Sequence, residues 1–394
     1  MVSKGLSRYL LFSTLFLIFS ESLRVKSFID LKFSYVIIIV NIILFLFLKQ
    51  KTQYPKKAFW AILLIIILSL ISFLKGNDTI VAILPQIIGI SLSSFYFYNF
   101  FKFSPYSVDY IFDKYAKWSV VLAGIGIVIA VVHYLTGDFG YRLQSIFTEP
   151  AHFCGVMLPA FYYYLKNRDK NFYRLSIISF ALILSLSSVG YLGMLVCLII
   201  YRKKINILVN ASVFFISIVL GVVIYLNVES FRLRIDDTLS SIGTFDVEDV
   251  NLSTYALVSN LYVATNVFKE SPVIGNGIGS HQLSHKKYIY GLTGIDSFSE
   301  DFQSFNSEDA NSLFIRILSD LGLIGIVLVI TFIIMCYTKH DHFYVLSRAI
   351  LVYFFYKLLR EGHYFSPEMY FFVFAYFFIK KHSEVVQNNL VENI

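Results

Sequence analysis

Ser307-Glu308-Asp309-Ala310-Asn311-Ser312-Leu313 closes a polar interruption that begins near Glu229, and it hands the chain back to an apolar run of helical length. On either side of residues 229–308 the sequence is dominated by Phe, Tyr, Ile and Leu, so this interruption is the part long and polar enough to fold outside a bilayer. Working outward, the apolar runs are about 17–25 residues long and lack alternation of polar and apolar positions, which points to helices and not to barrel strands. Of 394 residues, 57% are hydrophobic and 15% charged, with a mean hydropathy of +0.68. One water-soluble core cannot hide that much apolar surface, and the expectation is an all-α polytopic membrane protein.

About twelve transmembrane helices are predicted, at 9–23, 32–48, 58–74, 79–100, 118–136, 149–165, 172–187, 189–201, 206–227, 310–336, 343–359 and 365–380. Placing the N-terminus inside tests that count against the distribution of cations. The loops this assigns to the cytoplasm carry Lys49, Lys51, Lys56 and Lys57, then Lys166, Arg168, Lys170 and Arg174, then Arg202, Lys203 and Lys204, and the tail begins with Lys380-Lys381. That is the cytoplasmic Lys/Arg excess expected of a multi-pass protein with both termini cytoplasmic. Residues 1–394 form one integral membrane domain, with 228–309 as a large extracytoplasmic loop between the ninth and tenth spans. Val108, Ile111, Phe112 and Tyr115 recur at helical spacing before Trp118 and predict a short interfacial helix.

The net charge of +7 sits in short clusters beside apolar runs, a pattern of topology and not of nucleic-acid binding. Cys154, Cys197 and Cys336 have no metal-like spacing and read as small hydrophobes. Lys4 and Arg8 precede an apolar run without a small-residue cleavage site, as in an uncleaved first span.

Candidate chemistry lies at the edges of the loop and in the shorter turns on its side. Arg142 precedes Phe147-Thr148-Glu149-Pro150-Ala151-His152, where Glu149 is either a helix-capping residue or a base, Arg142 an anion site or an interfacial anchor, and His152 a packing residue. Arg234 lies in Phe231-Arg232-Leu233-Arg234-Ile235-Asp236-Asp237, where arginines two apart point in different directions and pairing with the aspartates is the structural alternative. Asp236-Asp237 and Asp246-Val247-Glu248-Asp249 lack histidine and a coordination-spaced loop; they read as solvated acids, and no metal site is expected.

Ser271-Pro272-Val273-Ile274-Gly275-Asn276-Gly277-Ile278-Gly279-Ser280-His281 lacks the strand–helix context of a nucleotide loop but suits a turn that offers N–H groups to an anion. His281 and His285 could serve as acid or base, though as exposed loop histidines they more often do neither. Asp309 or Asn311 can cap the incoming helix, whose Arg316 and Asp320 either pair or line a polar cavity. Arg360-Glu361-Gly362-His363 brings further ionisable groups to the same side. Arg142, Arg234 and Arg360 together suit a multiply charged anion such as a lipid-linked pyrophosphate.

Four stretches taken in order carry a family resemblance: Arg142 with Phe147-Thr148-Glu149-Pro150; Leu184-Ser185-Leu186-Ser187-Ser188-Val189-Gly190-Tyr191-Leu192-Gly193; Ser271-Pro272-Val273-Ile274-Gly275-Asn276-Gly277; and Asn311-Ser312-Leu313-Phe314 with Gly322-Leu323-Ile324-Gly325. Over roughly residues 140–370 the chain resembles the bacterial Wzy-type polysaccharide polymerases of the O-antigen polymerase and ligase superfamily. The resemblance implies a GT-C-type architecture and a metal-independent, inverting glycosyltransferase without cofactors, in the cytoplasmic (inner) membrane. Such enzymes move a growing lipopolysaccharide or capsule glycan from undecaprenyl pyrophosphate to the non-reducing end of the next lipid-linked repeat unit. The implied partners are that oligosaccharide donor and acceptor, the bilayer and a chain-length regulator protein. Arg142, Arg234 and Arg360 would hold pyrophosphate, Glu149 or Asp309 would be catalytic, and His281, Asn311 and His363 would be additional site residues. Ligase-like members often carry His just before the Asn of the post-loop helix, where this chain has Asp309-Ala310-Asn311. An Arg that many members show ahead of the Pro-Ile-Gly turn is also missing, with Ser253-Thr254-Tyr255 in that region. The first departure leaves the base open between Glu149 and Asp309 and favours a polymerase over a ligase; a flippase is the non-enzymatic alternative.

Overall fold

The computed structural model describes residues 4–20, 22–26, 30–47, 52–201, 225–226, 229–241, 244–245, 247, 250–293, 303–338 and 343–392. Their helices are α1 Lys4–Ile18, α2 Phe33–Phe47, α3 Lys56–Leu74, α4 Ile80–Phe103, α5 Val108–Leu135, α6 Pro150–Lys166, α7 Arg168–Leu184 and α8 Ser188–Tyr201, followed by α9 Glu229–Ser241, α10 Leu252–Glu270, α11 His281–Tyr288 and α12 Tyr290–Thr293, and finally α13 Leu313–Cys336, α14 Tyr344–Leu359 and α15 Pro367–Glu392. A two-stranded antiparallel hairpin, β1 Arg24–Lys26 and β2 Asp30–Lys32, is a small addition to the all-α expectation.

Helices occupy the expected apolar runs, except that the ninth, 206–227, falls almost wholly outside the described residues. Among the described residues, four helices are long and apolar enough to cross a membrane, namely α3, α4, α5 and α13; α2 and α8 are shorter apolar helices. The interfacial helix expected at residues 108–115 is not separate: α5 runs unbroken through Trp118, because Ser107 caps it by accepting from Tyr110 N–H and nothing between 108 and 118 breaks helical geometry. Cys154, Cys197 and Cys336 are buried free thiols, in keeping with their reading as small hydrophobes.

Two packing arrangements position the polar residues. The first centres on α6, which is enclosed along nearly its whole length and packs on α14, α8 and α7. Small residues allow the approach: a Cβ on Gly155 would lie 2.6 Å from the Tyr356 ring, and one on Gly190 would lie 2.5 Å from Cys154 Sγ. Tyr356 Oη also donates to the Ala151 carbonyl, which ties α14 to the first turn of α6.

The second arrangement is a broken helix. α13 kinks at Gly322 (φ 57°, ψ −148°), and residues 271–281 fill the gap. Asn276 and Gly277 N–H donate to the Ser319 and Asp320 carbonyls at 3.0 and 2.8 Å, while Leu323 and Ile324 N–H donate to the Pro272 and Val273 carbonyls at 2.9 and 3.1 Å. The turn thus replaces the backbone bonds that a continuous helix would make across the break. Asp320 then reaches back, accepting from Gly279 and His281 N–H at 2.9 and 3.0 Å and from Ser280 Oγ at 3.2 Å. The glycine turn does offer N–H groups to an anion, and the anion is this chain's own Asp320.

Candidate functional site

Glu149 sits in extended conformation (φ −149°, ψ 154°) just before Pro150 and makes no side-chain cap bond. Pro at the first helical position carries no N–H to satisfy, which leaves the Glu149 carboxylate for other work. It pairs with Arg360, Oε2 to Nη2 at 3.0 Å, across 211 residues of sequence. Arg360 also lies in the electrostatic field of Asp309, whose Oδ2 is 3.7 Å from His363 Nε2. Glu149, Asp309, Arg360 and His363, expected from three separate regions, are therefore brought together.

What joins them is a backbone clasp between residues 309–312 and 358–362. Glu361 N–H donates to the Asn311 carbonyl at 3.1 Å, Ser312 Oγ to the Leu358 carbonyl at 2.7 Å, and Arg316 Nη1 to the Gly362 carbonyl at 2.9 Å. A Cβ on Gly362 would overlap the Asp309 carbonyl, so only glycine permits this approach. Ala310, Asn311 and Glu361 adopt left-handed φ of 58°, 60° and 65°. Non-glycine residues held there cost free energy that the surrounding contacts must offset.

Asn311 and Asp309 do not cap α13. Ser312 does, accepting from Ile315 N–H, while Asp309 Oδ1 accepts from Asn311 N–H in a local turn and Asn311 Oδ1 accepts from Asn306 Nδ2 at 3.0 Å. Serine is as good a cap as either, and its position next to the first helical residue decides. Arg316 and Asp320 do pair, at 3.5 Å, with the guanidinium 4.5 Å from the centre of the Tyr364 ring.

Behind Arg360 lies a buried ionic group that sequence reading resolved only in part. Lys357 Nζ is 3.0 Å from Glu361 Oε2, 3.0 Å from Ser366 Oγ and 3.5 Å from Glu368 Oε1, so its three donors face three oxygens. His152 does more than pack, lying 3.9 Å from Glu361 Oε1 and 3.7 Å from Glu368 Oε1. His152, Glu361 and Glu368 offer ligand atoms within 4.8 Å of one another, a spacing that suits a metal ion, but the Lys357 ammonium already supplies a cation to both carboxylates. The missed signal was Lys357 itself, a cation in the apolar C-terminal half of α14, four residues before Glu361.

Arg142 is tied to the turn that precedes α8. Its Nη2 donates to the Leu186 carbonyl at 3.0 Å and Leu143 N–H to the Leu184 carbonyl at 3.1 Å, which joins the 142–150 stretch to the 184–193 stretch. Arg234 belongs to α9, but its side chain lies outside the described residues. Asp236 accepts from Tyr225 Oη at 2.6 Å and Asp237 Oδ2 from Asn251 N–H at 2.9 Å, so both hold local structure.

His281 is not an exposed loop residue. It is fully buried with Nε2 2.9 Å from Asn260 Oδ1, and burial pushes its pKa well below the usual imidazole range. His285, buried beside it, is pushed down to about 4 by the same loss of solvation. Asp78, in the turn between α3 and α4, lies against Gly277, and burial raises its carboxyl to about 7.

No curated protein matches the chain. Residues 173–330 match the family model for O-antigen ligase, a stretch that runs from α7 into α13 and contains Asp309 but not Arg142, Glu149 or Arg360. Over that stretch the chain is similar to the O-antigen ligase family, and the similarity supports a link to the superfamily of glycan ligases and polymerases.

Proposed function

We propose that the chain is a membrane glycosyltransferase that moves a growing glycan from a lipid pyrophosphate onto the next lipid-linked repeat unit, on the external face of a bacterial inner membrane. The observation that carries this reading is the Arg360 guanidinium, 15% exposed, paired with Glu149 and in the field of Asp309. A fixed fork of N–H donors beside two carboxylates suits a reaction in which a phosphate oxygen leaves as a hydroxyl oxygen attacks. The acceptor hydroxyl would attack the anomeric carbon as the carbon–oxygen bond to pyrophosphate breaks. The electron pair goes to the pyrophosphate beside Arg360, and the hydroxyl proton goes to Glu149 or Asp309. Base assistance of that kind contributes about 10²–10⁴-fold. Both lipid substrates share one plane, which raises their encounter frequency.

Polymerase is the first reading, because Asp309-Ala310 stands where ligase-like members often place His. The match to the O-antigen ligase model favours a second reading, transfer of finished polymer to another acceptor. Deletion followed by complementation with wild type, Arg360→Ala or Arg142→Ala separates them. A surface ladder reduced to single repeats and restored by wild type but by neither variant is the polymerase outcome. Long chains retained on the lipid carrier are the ligase outcome, and single units trapped inside the cell would overturn both in favour of a flippase.

A further inference from the structure

The two partners of the Glu149–Arg360 pair are held very differently. Arg360 follows α14 directly, and its turn is clamped on both sides by the Asn311, Asp309 and Gly362 backbone contacts and by Lys357 on Glu361. Its guanidinium is 15% exposed, the more enclosed partner of the pair. Glu149 has its backbone tied to α6 by the Phe153 N–H, which donates to its carbonyl at 3.2 Å, but its side chain is 40% exposed and makes no helix-cap bond. The carboxylate is the partner free to leave.

We infer that the Glu149–Arg360 ion pair is a latch opened by the donor's pyrophosphate, which takes Arg360 and releases Glu149 Oε2 to receive the acceptor hydroxyl proton. This rests on the proposed transferase reading and adds an order of events to it. A pyrophosphate carries more charge than one carboxylate and presents oxygens from two phosphates to the guanidinium fork, so it wins the competition for Arg360. Until it binds, Oε2 is occupied by Nη2 at 3.0 Å. After it binds, the approaching negative charge also drives Glu149 away from the guanidinium.

The balance closes without a further reactant. The acceptor oxygen forms the new bond to the anomeric carbon and gives its proton to Glu149, and the carbon–oxygen bond to pyrophosphate breaks with its electron pair on the leaving group. When the lipid pyrophosphate departs, Glu149 yields the proton to water and pairs with Arg360 again. A base that is occupied until the donor is seated would also limit wasteful hydrolysis of single substrates.

The test uses full-length protein in lipid nanodiscs and inorganic pyrophosphate as probe, with polymer output measured in cells. In Glu149→Gln the competitor for Arg360 loses its charge, so pyrophosphate should bind about tenfold more tightly than to wild type while polymer output falls by about 10²-fold or more. Glu149→Asp, shorter but charged, should bind more tightly to a lesser degree and retain part of the output. Arg360→Ala should bind pyrophosphate at least about tenfold more weakly. Pyrophosphate binding that is unchanged or weaker in Glu149→Gln overturns the latch, as does full polymer output from that variant. If the deletion strain loses polymer while pyrophosphate binding ignores position 149, the latch alone fails; if deletion leaves surface glycan unchanged, the transferase reading beneath it fails as well.

Discussion

Gly322→Ala is a direct test of the broken helix, because the geometry sets its expected size. At φ 57° and ψ −148° the backbone occupies a region that an L side chain enters at a cost of about 1–3 kcal/mol. The added Cβ would lie 2.7 Å from the Pro272 carbonyl oxygen and 2.8 Å from Gly275 N, both backbone atoms that cannot rotate away. Relief therefore means displacing the turn, which stretches the Leu323-to-Pro272 and Ile324-to-Val273 bonds, each contributing about 1 kcal/mol. Together these give about 3–5 kcal/mol, a large part of the roughly 5–15 kcal/mol that stabilises a typical domain. Thermal unfolding of purified protein in nanodiscs should show a Tm lowered by about 4–6 °C, with earlier proteolysis within residues 271–293. Gly124→Ala is the control, since a Cβ there meets nothing within 4 Å and the position is mid-helix. A Gly322→Ala protein that melts within about 1 °C of wild type and resists proteolysis equally would refute the interlocked turn.

Two further perturbations address the buried ionisable groups. Lys357→Met leaves Glu361 and Glu368 without their shared cation and should destabilise by about 3–5 kcal/mol, with partial recovery in the Lys357→Met, Glu368→Gln double variant, as read by thermal shift. His285 has a folded pKa of about 4 against an ordinary value of 6.5, so the unfolded chain binds the extra proton between those values. Its contribution to stability is complete above about pH 6.5 and is lost as pH falls toward 4; hydrogen exchange in α11 should accelerate over that window, and His285→Phe should flatten the response.

The long apolar runs were legible as helices because composition and length alone specify them, and α6, α7, α8, α13 and α14 begin within about four residues of the expected positions. The boundary of α5 was not, since an amphipathic turn and an apolar span have no break between them when a single cap starts both. In the site, Glu149, Asp309, Arg360 and His363 were legible as ionisable residues at the ends of apolar runs, which are costly without a partner. Their pairing was not legible, because it depends on Gly362 meeting the Asp309 backbone, a contact between residues 53 positions apart that no local pattern encodes. His281 was misread for a related reason: a histidine after three glycines looks exposed until Asp320, on a distant helix, is seen to accept its backbone N–H. The Pro272–Gly277 and Asp320–Ile324 motifs, read separately as two short degenerate patterns, are two halves of one backbone joint.

That joint also constrains the order in which the protein can be made. The N–H groups of Leu323 and Ile324 find their acceptors in Pro272 and Val273, which leave the ribosome about fifty residues earlier than the helix that needs them. A nascent α13 entering lipid before the turn has docked would carry bare backbone donors and carbonyls, a state that hydrocarbon penalises by several kcal/mol per group. Docking of residues 271–281 would therefore act as a checkpoint in biogenesis: the C-terminal helices, and with them Arg360, would settle only once that turn has docked against α13.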